Sequence, residues 1–155
     1  MKGVPKNEAV ILFARNNFWG RTLAAVSSST DPSAYKDFGP FMPGFENIPF
    51  DDTAALEAAL EANPNIVAFM VEPIQGEAGV VVPREGYLAE CQRLLRKHNA
   101  LLICDEVQTG ERRGQGLGLQ GLGRGVQGLR GQAWRRLGRH GLGWQSGLVS
   151  CRGEA

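Results

Sequence analysis

Leu101-Leu-Ile-Cys-Asp-Glu-Val-Gln-Thr-Gly110 takes four apolar residues straight into a carboxylate, Asp105, and then into a polar turn closed by Gly110. A short apolar run bounded by turn residues reads as a strand buried on both faces, the kind found in parallel sheets covered by helices. In such sheets ligands meet the protein at the carboxyl ends of the strands, where Asp105 stands. Two further runs end alike: Val10-Ile-Leu-Phe-Ala14 meets Arg15-Asn-Asn-Phe-Trp19, and Ile66-Val-Ala-Phe-Met-Val71 meets Glu72. Three strands are thus expected to deliver polar and aromatic groups to one rim, and the fold class is α/β, a mainly parallel sheet with flanking helices.

The segments between these strands carry helical signals. Gly20-Arg-Thr-Leu-Ala-Ala-Val26 has helical spacing, and Ser27-Ser-Ser-Thr-Asp-Pro32 is expected to stop it. Pro32 to Pro49, with four prolines and no period, reads as one long loop. Asp51 or Asp52 caps an alanine-rich helix over 53–62, which Asn63-Pro64 ends. A second helix is expected from Gly86 to about Asn99. Tyr87, Leu88, Cys91, Leu94 and Leu95 lie on one face of it, with Glu90, Arg93, Arg96 and Lys97 on the other. Ile66 to Val107 then forms one parallel βαβ unit.

Composition divides the chain just after Gly110. Residues 1–110 hold 9 Lys/Arg against 14 Asp/Glu, a net of −5, whereas residues 111–155 hold 8 Arg against 2 Glu, a net of +6. Of the 21 glycines, 13 fall in the last 45 residues, among 7 Leu and 5 Gln, without a hydrophobic period. Such a segment has too little to bury to offset its chain entropy, so 111–155 is expected to be a disordered tail behind a core of 1–110. Three cysteines, Cys91, Cys104 and Cys151, argue against a disulfide framework, and Cys91 and Cys104 read as small core residues. His98 and His140 stand alone, so no metal is assigned. No apolar run is long enough to span a membrane.

Several blocks, in order, resemble the ornithine aminotransferases, a family of class III pyridoxal phosphate (PLP) dependent transaminases of fold type I. They are Asn17-Phe-Trp-Gly-Arg-Thr22, Ser27-Ser-Ser-Thr-Asp-Pro32, Gly39-Pro-Phe-Met-Pro-Gly-Phe45, Val71-Glu-Pro-Ile-Gln-Gly-Glu-Ala-Gly-Val-Val-Val-Pro83 and Asp105-Glu-Val-Gln-Thr-Gly110. The resemblance covers about residues 3–110 and implies a fragment of the PLP-binding large domain. It implies that Asp105 holds the pyridine nitrogen protonated, that Gln108 bonds the ring's 3-oxygen, and that Val107 and Phe18 press on its two faces. It implies further that Arg21 holds the substrate α-carboxylate and that Glu77 tunes the site for ornithine's side-chain amine. Glu72 is taken to support these groups from behind. Each residue has a plainer use: an ion pair for Asp105, Arg21 or Glu77, core filling for one of Phe18 and Trp19.

The resemblance implies transfer of ornithine's side-chain amine to a 2-oxo acid such as 2-oxoglutarate, giving glutamate semialdehyde, in a homo-oligomer of the mitochondrial matrix. Lysines stand at 2, 6, 36 and 97, all upstream of Asp105, whereas the family's Schiff-base lysine lies downstream. No catalytic lysine is therefore assigned, and this chain alone is expected to be inactive. Two readings of the tail stay open: a shifted reading frame of GC-rich coding sequence, and, more weakly, a Gly/Arg arm binding RNA through phosphate neutralisation, with only Trp134 and Trp144 to stack on bases. A P-loop ATPase also places Asp-Glu after an apolar strand, but no Gly-x-x-x-x-Gly-Lys-Ser/Thr stretch accompanies it here.

Overall fold

A computed structural model describes residues 2–110 and 148–151. The strands β1 (Val10–Ala14), β2 (Phe45–Ile48), β3 (Ile66–Val71), β4 (Leu101–Asp105) and β5 (Leu148–Cys151) form one sheet in the order β2-β1-β3-β4-β5. The first four are parallel and β5 is antiparallel to β4. Register pairs Ala14 with Ile48, Phe13 with Met70 and Val71 with Cys104, so the carboxyl ends of β1 to β4 reach one rim. From β1 the chain passes to β2 on one side and then crosses to β3 on the other. The order thus reverses around β1, the kind of point at which open sheets receive ligands.

Alternation along the strands sets the two faces. Leu12, Ala14, Phe69, Val71, Leu102 and Cys104 point into the main core against helices α3 (Thr53–Ala62) and α4 (Tyr87–Lys97). The apolar face expected of α4 is buried as a set, and Leu56 and Leu60 of α3 meet it. Cys91 is part of this core, and burial pushes its thiol up to about 12; Cys104 is buried beside it. On the opposite face Phe13 meets Trp19 and Phe45.

Several boundaries differ from the sequence reading. The first helix, α1 (Leu23–Ser28), starts three residues after Gly20, because the Thr22 hydroxyl accepts from Ala25 N–H and caps it there. It includes two serines expected to stop it; the Ser27 and Ser28 hydroxyls donate back to the carbonyls of Leu23 and Ala25. The stretch from Pro32 to Pro49 is not one loop. Asp31 caps the short helix α2 (Pro32–Tyr35), with proline at its first position, and Phe45-Glu-Asn-Ile48 forms the edge strand β2, too short to announce a period. Of the two candidate caps for α3, Asp52 accepts from Ala55 N–H, while Asp51 adopts a left-handed backbone and pairs with Arg84. The tail read as disordered lies outside the described residues except for β5, the tetrapeptide Leu148-Val-Ser-Cys151, which pairs along the edge of β4.

Candidate active site

The segments leaving β1, β3 and β4 enclose a cleft of about 310 Å³ lined by Phe18, Trp19, Gly20, Glu72, Glu77, Asp105, Val107 and Gln108. Its floor is acidic. Asp105, the last residue of β4, is 6 % exposed, and its Oδ1 accepts from Val107 N–H at 3.1 Å. Burial pushes its carboxyl above the ordinary aspartate range, the Val107 N–H pulling weakly the other way. Glu72 is as deeply buried; Oε1 accepts from Phe18 N–H at 3.0 Å and Oε2 from Gly76 N–H at 3.2 Å. Burial raises this carboxyl too, against the two amide bonds, with Asp105 and Glu77 adding repulsion.

The walls are apolar. Phe18 and Val107, both partly exposed, line the cleft above the carboxylates. Trp19 fills space: its ring lies along Phe13 and its Nε1–H donates to the Ser28 hydroxyl at 2.7 Å. Gly76 lets the chain pass close to Gln108, since a Cβ there would sit 3.0 Å from Gln108 Cγ. Arg21 does not line the cleft. It borders a small neighbouring cavity that shares Phe18, Trp19 and Gly20 with the cleft, and its guanidinium carbon stands 5.4 Å from the centroid of the Phe18 ring. The structure therefore brings Phe18, Glu77, Asp105, Val107 and Gln108 together and leaves Arg21 one ring away.

Two buried residues that the sequence did not single out hold the loops in place. Gln75 is 1 % exposed; its Nε2 donates to the Arg15 carbonyl at 2.7 Å, and its backbone exchanges hydrogen bonds with Val81. Asn17 Nδ2 donates to the carbonyls of Ala14 and Ser28. An amide inside a turn-rich stretch gives no pattern that separates such a brace from a surface polar residue.

A buried carboxylate that makes one backbone hydrogen bond, in a cleft lined by two further acids and, among the described residues, by no basic side chain, suits a ligand that carries its own positive N–H. Apolar groups at Phe18 and Val107 with an amide at Gln108 suit a flat heteroaromatic ring. The pyridinium ring of PLP has both properties, so the residues present fit it. None of the chain's four lysines lines the cleft. Lys2 Nζ donates to the Ile66 carbonyl and Lys97 pairs with Glu57.

The chain is similar to known proteins over this same region. The Aminotransferase class-III family model matches residues 1–123, running past Gly110. The mitochondrial ornithine aminotransferase of Drosophila melanogaster is 65% identical over 109 residues, 70% of this chain and 25% of that protein. The 2.3 Å crystal structure of the ornithine aminotransferase from Toxoplasma gondii ME49 superposes with a TM-score of 0.69 at 55% identity, covering 71% of this chain and 26% of the other. A second structure of the Toxoplasma gondii enzyme, with partial occupancy of PLP at its active site, gives 0.68 at 55% identity over 70% and 26%. The chain thus spans about a quarter of the length of these relatives. With the family model matching well over half its length, the chain belongs to the class III aminotransferases.

Proposed function

We propose that this chain carries the cofactor-ring slot of an ornithine aminotransferase. The observation that carries the reading is the Asp105 carboxylate, buried at the end of β4 and open to a cleft walled by Phe18 and Val107. When bound, PLP supplies an aldehyde for amine exchange and an electron sink. Asp105 holds a proton on the ring nitrogen, which keeps the ring electron-poor. Gln108 donates to the ring's 3-oxygen, and Phe18 and Val107 hold the ring flat and exclude water from its faces. Glu77 is assigned to the side-chain amine of ornithine, and Arg21, beside Phe18 outside the cleft lining, would reach the α-carboxylate only by turning away from that ring.

The amine acceptor in this reading is a 2-oxo acid such as 2-oxoglutarate, and the product glutamate semialdehyde. The names of the relatives support a mitochondrial matrix setting, and a homo-oligomer as the working assembly follows from the same family reading. With no lysine at the cleft there is no amine to anchor the cofactor or to move the proton at the substrate Cα, so the chain by itself binds the ring without turning over.

Purified full-length chain titrated with PLP is expected to give an induced circular dichroism signal in the cofactor band, lost in Asp105→Asn. Borohydride is expected to fix no adduct at a defined lysine. Absence of the signal in the wild-type chain, or its survival undiminished in Asp105→Asn, refutes the reading.

A further inference from the structure

The Glu72 carboxylate ties the Phe18 wall of the slot to the turn that seats Gln108. One oxygen accepts from Phe18 N–H at 3.0 Å and the other from Gly76 N–H at 3.2 Å. Phe18 is one wall. Gly76 is the surface against which Gln108 lies, so close that a methyl group there would require the Gln108 side chain to shift by a few tenths of an ångström. A single carboxylate therefore joins the backbone that presents the stacking ring to the backbone that seats the amide. We propose that Glu72 is a positioning residue that fixes the Phe18 wall of the slot relative to Gln108 at its edge, and so sets its affinity for a flat cationic ring; the affinity half of the claim rests on the PLP reading above.

Three features of the molecule give the strut this role and set it apart from a structural acid. Its two carboxylate oxygens accept from backbone N–H groups of cleft segments. Its companion brace, Gln75, ties the same two segments further from the cleft, from Nε2 to the Arg15 carbonyl, so the fold keeps one tether when Glu72 is altered. And the carboxylate lines the cleft itself, beside Asp105 at the end of β4 and Glu77 in its own loop, the two charged groups that act upon it.

The amide proton resonances of Phe18 and Gly76 in the isotopically labelled full chain read the strut directly. Both are expected to move together with pH about one shared midpoint, displaced above the ordinary glutamate range, and the shared movement is expected to vanish in Glu72→Gln. In the same variant the induced dichroism of PLP is expected to require about ten-fold more cofactor, since one charged hydrogen bond to the walls is lost. Glu72→Asp keeps the charge and shortens the reach; it should retain a titration at no more than one of the two amides. Two amides that titrate apart, or not at all, in the wild-type chain overturn the proposal, and so does an unchanged affinity in a folded Glu72→Gln. A wild-type chain whose amides titrate together but which gives no induced signal defeats the functional reading and upholds the strut.

Discussion

Trp19 lies along Phe13, ring centroids 5.4 Å apart and planes inclined by 18°, while its neighbour Phe18 lines the cleft. Both residues border the cleft, but only the Trp19 ring is also packed against the sheet, through Phe13. Trp19→Ala should lower stability by about 3 kcal/mol, the usual cost of emptying a large aromatic site. Phe18→Ala should cost less than half of that and weaken PLP binding instead. Thermal or denaturant unfolding of the two variants, beside cofactor titration, checks this; equal stability losses would contradict it.

Asp105→Asn removes the charge that fits a cationic ring nitrogen. A lost charged hydrogen bond of about 2–3 kcal/mol corresponds to about two powers of ten in affinity. In a complete enzyme carrying this segment, turnover should fall by at least as much. Wild-type affinity in Asp105→Asn would remove the residue from its assigned place.

Acid should stabilise the chain when no cofactor is present. Glu72 and Asp105 both have carboxyls raised by burial, so their contribution is fully present below the unfolded-state value and is lost as pH rises through the folded one. Asp31 and Glu90 are lowered by their Ser33 and Arg84 hydrogen bonds and act in the opposite sense, but both are solvent-exposed and screened. The melting temperature is therefore expected to fall as pH rises through and above the ordinary carboxylate range, with a shallower slope in Glu72→Gln and in Asp105→Asn. Identical slopes in the wild type and both variants would exclude these two groups as the cause.

Val80 holds φ at 59°, a left-handed conformation that β-branched side chains strongly resist, and its side chain is 70% exposed. Little burial is lost on removing that side chain, so Val80→Gly should stabilise the chain by about 1 kcal/mol, the strain relieved exceeding the added freedom of the unfolded chain. Equilibrium denaturation reads the sign directly, and a destabilised variant would show that the valine makes a contact worth more than its strain.

What was legible in the sequence follows from periodicity. Strands β1, β3 and β4 announce themselves as unbroken apolar runs, and the face of α4 as a repeat of Tyr87, Leu88, Cys91, Leu94 and Leu95. Their order alone places Asp105, Glu72 and the Phe18 segment at one rim. Strand β2 was illegible because four residues with a half-exposed pattern make no period, and β5 because it joins the sheet from within a glycine-rich stretch. Within the cleft, Asp105 was legible at the end of a strand, whereas Val107 and Gln108 were singled out only by the family resemblance. The bracing by Glu72, Gln75 and Asn17 depends on which backbone groups two separate loops leave unpaired, and that is fixed only when the loops meet.

The guanidinium of Arg21 over the ring of Phe18 makes the two positions energetically one unit. An enzyme built on this segment would then feel a change in the residue assigned to the substrate carboxylate at the wall assigned to the cofactor. Alterations at Arg21 and Phe18 would combine non-additively, and a double-mutant cycle on cofactor affinity would return a coupling of about 0.5–1 kcal/mol even in the absence of any substrate. Attempts to retune this fold for a different amino acid by exchanging Arg21 alone would alter cofactor retention along with substrate choice.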